Sequence, residues 1–486
     1  MSVAKPMPAV TIEAVPVAPI PLARLAGVLL PEQKGELDST VERALPLLEN
    51  RVVWNINSTA RGGGVAEMLR SLVGYGRAAG VDARWLVVGS EPDFFHVTKR
   101  LHNRLHGSAG DGGPLGEHER AVYERTSRAA SKRLSGLVMP GDVVVLHDPQ
   151  TAGLSAPLVE LGAHVVWRAH IGLDLPNDYA HDAWSFLLPY VLPAHAYVFS
   201  REAYVWEGLD PARVTVIAPS IDPFSAKNQE LDPGAVEAIL LQAEILRDGA
   251  ERAPTFLRED ASPGRVGSRA ELIDGTPASV HAPLVAQVSR WDRLKDPLGV
   301  MEGFVRHVLP ASDAHLMLAG PDVRAVADDP EGAAVVEACT ARWESMAPEA
   351  RQRIHLALLP MDDAEENAVI VNALQRWSTV IVQKSLAEGF GLTVTEAMWK
   401  GTPVVAGRIG GIQDQVADGE TGLLVDPTDL AAFGAAVLRL LCDPADAKRM
   451  GEAARELVRE RFLGVRHLTQ YVDLFDALIR AGVARG

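Results

Sequence analysis

The chain has 486 residues, 47% of them hydrophobic and 23% charged, an ordinary soluble composition at a length that exceeds one hydrophobic core, so two domains are expected. Its 63 acidic residues against 47 basic ones give a formal charge of −16, which excludes nucleic acid and anionic membrane as partners, because both need a basic footprint. Two cysteines, Cys339 and Cys442, are too few for a disulfide scaffold or a cysteine metal site and fit a reducing cytoplasm.

The stretch Val10 to Pro31 is apolar but broken by Pro16, Pro19, Pro21 and Pro31, with no cluster of positive charge before it. Residues 1–47 are therefore expected to form a partly extended arm rather than a signal peptide. No run reaches the roughly 18 consecutive apolar residues that a membrane span requires.

A strand over Val52 to Ile56 leads into the triple glycine Gly62, Gly63 and Gly64, which opens a helix with Val65, Met68, Leu69 and Leu72 on one face. Glycines between a strand and a helix let the backbone approach a ligand. A dinucleotide fingerprint is not completed, since its third glycine would fall on Glu67. Further strands are expected at Ala83 to Val88 and Val143 to His147, with a polar helix over Glu117 to Leu134 between them. His102 and His106 stand four apart, a metal-ligand spacing, but no third ligand or HExxH pattern accompanies them. The strand His164 to Arg168 delivers His170 to a loop, where ligands of open α/β sheets bind. Strands at Tyr197 to Ser200 and Arg213 to Ile217 close the first domain, taken as 48–222.

Residues 223–282 hold one helical stretch, Pro233 to Arg247, and a segment rich in Pro, Gly and Ser, and are expected to be linker plus insertion. The alternation restarts with the strand Leu284 to Val288, the beginning of a second domain over 283–464. Arg290 and Lys295 follow it, a fork donor and a flexible point charge that together suit a diphosphate. Strands at His315 to Ala319 and Arg353 to Ala357 and a helix from Asp363 to Gln375, capped by Asp362, come next. The acidic pairs Asp328-Asp329 and Asp362-Asp363 read as caps and loops, so no metal ligand set is expected.

The most informative stretch is TVIVQKSLAEGFGLTVTEAMWKGTPVV. It reads as a strand at Val380 to Val382, a turn through Glu388, Gly389, Phe390 and Gly391, a helix from Leu392 to Lys400, and a strand at Val404 to Ala406. The turn places backbone N–H groups at a helix start, a site for a phosphate. Glu388 and Glu396, eight positions apart, suit hydroxyl groups instead, as on a sugar or ribose. A final helix is expected near 465–482.

The pattern EGFGLTVTE before a helix and Gly-Thr-Pro resembles the Glu-x7-Glu signature of the retaining glycosyltransferases of family 4. Within that family, the stretches VWNINSTARGGGVAEML, FFHVTKRLHN, WRAHIGLD, PSIDPFSAKNQEL, QVSRWDRLKDPLGV, DDPEG and VIVQKSLAEGFGLTVTEAMWKG resemble the trehalose-forming branch. The resemblance implies an α/β fold of GT-B architecture, two Rossmann-like domains with the active site in the interdomain cleft, and a C-terminal helix, 465–482, that packs back on the first domain. It implies retaining transfer of glucose from a nucleoside diphosphate glucose (ADP-, UDP- or GDP-glucose) to free glucose, giving α,α-trehalose reversibly, with no cofactor beyond that co-substrate, and it implies a homodimer. Residue by residue, Arg290 and Lys295 would neutralise the diphosphate, Gly389, Phe390, Gly391 and Leu392 would supply backbone donors, and Glu396 would hold the ribose. Glu388 and His170 would orient the glucosyl ring, and Gly62 to Gly64 would line the acceptor side. A retaining trehalose phosphorylase, another acceptor on the same scaffold, and a catalytically silent sugar-nucleotide sensor are the alternatives.

Overall fold

The computed structural model describes residues 10–60, 63–250, 252–273, 275–325 and 330–483. The chain divides into two units, Met1–Ser220 with Phe462–Gly486, and Ile221–Arg461. Among the described residues no helix is long and apolar enough to cross a membrane.

The first unit carries a seven-stranded sheet whose strands are β1 (Thr11–Ala14), β2 (Val53–Asn57), β3 (Ala83–Gly89), β4 (Val143–His147), β5 (His164–Ala169), β6 (Ala196–Phe199) and β7 (Val214–Val216). Their spatial order is β1-β3-β2-β4-β5-β6-β7. β4, sequence VVVLH, is buried at all five positions. Such runs form central parallel strands because helices cover both faces of the sheet. From β2 to β7 every pairing is parallel, and the strand order reverses between β2 and β4, the point where ligands of doubly wound sheets bind.

β1 is the exception, pairing antiparallel with β3 in a register that sets Thr11 opposite Gly89 and Ala14 opposite Leu86. The expected arm thus closes a sheet edge, and it also contains the 17-residue helix Pro31–Leu47. Pro31 starts that helix where an N–H would be unpaired in any case, and Gln33 accepts a hydrogen bond from the Leu30 N–H at 3.1 Å. Its buried side joins Ala44 and Leu48 to a core with Val53, Val143, Val145, Val166 and Val198. The same core takes Tyr471, Val472, Leu474, Phe475 and Ile479 from the last helix, Gly464–Val483. At roughly 1.5–3 kcal/mol for each large apolar side chain fully buried, that helix is a principal source of the first unit's stability.

The second unit begins with the segment expected to be linker and insertion, whose described residues form a helix and short strands. The helix Pro233–Gln242 ends five residues earlier than the periodicity predicts and gives way to β8 (Leu246–Arg247). β9 (Thr255–Leu257) and β10 (Pro263–Arg265) form a hairpin, and β12 (Ala278–Ser279) pairs with β8. β11 (Glu271–Leu272) lies antiparallel on the edge of the main sheet. That sheet adds β13 (Leu284–Val288), β14 (His315–Pro321), β15 (Ile354–Leu359), β16 (Val380–Gln383), β17 (Val404–Gly407) and β18 (Leu423–Val425), in the order β11-β15-β14-β13-β16-β17-β18. The six strands after β11 have the Rossmann order, with the reversal between β13 and β16.

One cap differs from expectation. Helix Ala364–Trp377 is capped by Asp363, not Asp362: the Asp363 carboxylate accepts from the N–H groups of Glu365 and Glu366 at 2.9 and 3.1 Å. Asp363 also pairs with Arg258 at 2.8 Å, which fastens the β9–β10 hairpin over the helix start. The pair Asp328-Asp329 lies outside the described residues.

Candidate functional site

In the second unit, the polar residues expected from the sequence gather at the strand reversal. After β13 the chain exposes Arg290, whose guanidinium is 3.5 Å from Asp292 and more than half exposed. It then turns through Arg293–Lys295, a short helical turn capped by the Asp292 side chain on the Leu294 N–H. Lys295 Nζ meets Glu388 Oε2 at 2.5 Å. Glu388 itself follows β16, and the Leu386 N–H donates to Leu294 O at 2.7 Å, so the segments after two neighbouring strands are tied together.

Beneath this pair is a layer of buried polar side chains. Gln287 donates to Lys295 O at 2.9 Å, while Gln383 donates to Ser385 Oγ at 2.9 Å, and Ser385 Oγ donates to Glu388 Oε2 at 3.3 Å. Lys384, 1% exposed, bonds the Asp296 carboxylate and Pro427 O. Asp296 stands at φ +50°, where its carboxylate caps the helix Pro297–Gly303. Lys295 is therefore held from both chain directions, by Asp292 before it and by Asp296 after it.

The glycine turn is equally well braced. Gly391 adopts φ +87°, ψ +55° and is the N-cap of the helix Leu392–Trp399. A side chain there would incur left-handed strain, and a Cβ would lie 3.0 Å from Ile412 and 3.2 Å from Glu388. Gly389 O accepts from the Gly411 N–H at 3.1 Å, and the buried Gln415 amide donates to Phe390 O. The backbone N–H groups at the helix start, from Leu392 onward, have the partial positive charge that an anion seeks.

Glu396, on the second turn of that helix, is 3% exposed. Its carboxylate lies 3.7 Å from Lys227 Nζ, and Lys400 Nζ donates to its backbone carbonyl at 3.1 Å and to Asn228 Oδ1 at 3.0 Å. Burial lowers Lys400 to about 7, against the opposing pull of Glu396. Glu396 is thus placed apart from the Lys295–Glu388 pair in its bonding, with its own cations.

In the first unit, Gly63 has φ +86° and caps the helix Gly64–Ala78, while Gly62 lies outside the described residues. His170 follows β5 and is half-buried. Its backbone N–H donates to Asp148 Oδ1 at 2.8 Å, and its ring stacks on His147 with 5.2 Å between centroids and Nε2 2.9 Å from His147 Nδ1. Burial, with Arg168 beside it, lowers His170 well below the ordinary imidazole range. His147 falls to about 3 for the same reasons, and burial raises Asp148 to about 7.

Sequence reasoning passed over His147, Asp148, Arg168, Lys227, Asp296, Lys384 and Lys400. The signal was present for three of them: His147, Asp148 and Lys384 are charged or polar residues at the C-terminal ends of strands, where a ligand site forms. His102, in the helix Pro92–Leu105, and His106, the residue that caps its C-terminal end, meet edge to face at 4.9 Å. Among the described residues no group of three or more His, Cys, Asp or Glu is placed to hold a metal ion.

Comparison with known proteins covers both units. Residues 55–206 match the family described as trehalose synthase, N-terminal domain, and residues 282–457 match glycosyl transferases group 1. The trehalose synthase of Pyrococcus horikoshii is 36% identical over 90% of this chain and 93% of its own. A trehalose phosphorylase of Pleurotus pulmonarius is 27% identical over 88% of this chain but only 57% of its own. Among solved structures, the UDP-forming α,α-trehalose-phosphate synthase of Burkholderia xenovorans in complex with glucose-6-phosphate superimposes with a TM-score of 0.65 at 15% identity, over 87% of this chain and all of that one, a likeness of GT-B fold. With two doubly wound sheets, polar clusters at their strand ends and these relatives, the chain belongs to the trehalose synthase family of glycosyltransferases, within family 4.

Proposed function

We propose that the enzyme transfers glucose, with retention of configuration, from a nucleoside diphosphate glucose to the anomeric hydroxyl of free glucose, forming α,α-trehalose reversibly. The observation that supports this most is the convergence after β13 and β16 of Arg290, Lys295, Glu388 and the glycine-capped helix start. Two cations and a row of backbone N–H groups suit a diphosphate, and a carboxylate paired with one of the cations suits the sugar hydroxyls beside it.

In the proposed reaction the bond from the glucosyl C1 to the diphosphate oxygen breaks as the acceptor oxygen attacks C1 from the same face. The acceptor's proton passes to the departing diphosphate, and no protein group becomes glycosylated. Arg290 and Lys295 stabilise the charge that grows on the leaving group, Glu388 and His170 orient the glucosyl ring, Glu396 takes the ribose hydroxyls, and the Gly62–Gly64 loop lines the acceptor side. Positive side chains thereby take the place of a metal ion, so activity in a chelator should equal activity without it. We also propose a homodimer in a reducing cytoplasm; a sedimentation mass equal to one chain would overturn the dimer.

Product analysis tests the reading. Purified protein is incubated with glucose plus ADP-, UDP- or GDP-glucose in turn, and in parallel with trehalose plus phosphate. Trehalose from a nucleotide donor is the expected product. Glucose 1-phosphate formed only in the phosphate tube would move the enzyme to the phosphorylases, the more distant relatives.

A further inference from the structure

Arg168 is an unusual residue to find inside the first unit. It sits on β5, two residues before His170, and is 0% exposed. Burying a guanidinium is expensive unless every donor is satisfied, and normally a carboxylate shares the site. Here the acceptors are neutral: Tyr471 Oη at 2.7 Å, Ile217 O at 3.1 Å, His467 Nε2 at 3.3 Å and His170 Nδ1 at 3.5 Å. The ring of Tyr471 also lies 5.5 Å from the guanidinium carbon.

An arginine only donates, so each imidazole nitrogen it meets must be unprotonated. The His170 proton is then on Nε2, which donates to His147 Nδ1 at 2.9 Å, and the His147 proton is on Nε2, facing Asn55 Oδ1 at 3.3 Å. On the other side His467 carries its proton on Nδ1 and donates to Ser220 Oγ at 2.8 Å. A single guanidinium thus orders the protons of three histidines. The charge of Arg168 also opposes protonation of all three, in the same direction as their burial.

We propose that Arg168 is a positioning residue for His170: it locks the imidazole as the neutral Nε2–H tautomer and fixes its seat. The inference rests on the reading that His170 lies against the sugar. The lock is anchored by Ile217, Ser220 and His467, which flank the two places where the chain passes between the units, Ser220 to Ile221 and Arg461 to Phe462. The last helix is thereby part of the apparatus that sets His170.

The test is long-range proton–nitrogen correlation NMR on protein labelled with nitrogen-15 in histidine, with His170 assigned by its loss in H170Q. In the wild type the His170 proton is expected on Nε2 throughout pH 6 to 8. A proton on Nδ1, or on both nitrogens, would overturn the proposal. In R168K, which keeps a charge but not the fork, we expect a mixture of His170 tautomers and at least a tenfold fall in kcat with a smaller change in donor KM. An R168K enzyme with the wild-type tautomer and wild-type kcat would also overturn it. Y471F removes one acceptor of Arg168 without touching His170 and serves if R168K does not fold; it should shift the same His170 signals, and unchanged signals count against the lock. Absence of glucosyl transfer by the wild type would instead defeat the functional reading and leave the tautomer result standing.

Discussion

Arg290 and Lys295 illustrate how differently two cations of one proposed site are held. Arg290 is largely exposed, and its 3.5 Å contact with Asp292 is of the kind worth about 0–1 kcal/mol. Arg290→Ala should therefore leave the melting temperature almost unchanged while lowering kcat/KM by roughly 10²–10³, as loss of a charge-stabilising group does. An unchanged kcat/KM would remove Arg290 from the mechanism. Glu396 should behave otherwise: with the proposed ribose contact, Glu396→Gln would leave one acceptor, so donor KM is expected to rise about tenfold, the scale of one hydrogen bond to a charged group, with little change in kcat. Steady-state kinetics at varied donor concentration separates the two effects. These residues were legible because their chemistry is local, with each at a fixed offset from a strand. Arg168 and His467, 299 positions apart, were not legible, because nothing in either neighbourhood announces the other.

At the scale of single elements, the glycine turn is the most constrained. Gly391→Ala adds left-handed strain of roughly 1–2 kcal/mol, and the new Cβ presses on Glu388 at 3.2 Å. A lower melting temperature is expected together with a higher donor KM; loss of stability alone would show that the turn has only a structural role. The Asp363 cap offers a contrast remote from the chemistry. Asp363→Ala removes the acceptor of two backbone N–H groups and a partner of Arg258, and urea melts should show a loss of about 1–2 kcal/mol with kinetics unchanged. The central strands were read from the sequence to within a residue or two because parallel strands buried on both faces are continuous apolar runs. β1 and β11 were missed for the opposite reason. They are short edge strands of four and two residues, exposed over much of their length, and only pairing with a distant strand makes them strands at all. The helix Pro31–Leu47 was hidden by the prolines around it and by the few apolar positions that it buries.

For the molecule as a whole, the buried histidines couple stability to pH. His147, His170 and His467 stay neutral when folded but take protons below about pH 6.5 when unfolded, so stability falls as pH drops through that value. His315 in the second unit, lowered to about 4 by burial, acts in the same direction. Asp148, raised to about 7, opposes them, because the folded state holds a proton there that the unfolded state releases between about pH 7 and 4. The imidazoles outnumber the carboxylate, so unfolding between pH 5 and 6 should take up roughly two to three protons. Calorimetric melts in buffers of different ionisation enthalpy measure that number; net proton release would show that the cluster is charged when folded.

The helix Gly464–Val483 closes the core of the first unit although the whole of the second unit precedes it in the chain. During translation the earliest strands to leave the ribosome are therefore among the last to be covered, and Val53, Val143, Val145 and Val166 wait for some 240 residues of the second unit to be made. A nascent chain stalled near Arg461 would present an open sheet to chaperones and proteases beside a second unit whose own strands are all synthesised. The quality of the first half of this enzyme is decided by the last twenty residues of its described chain.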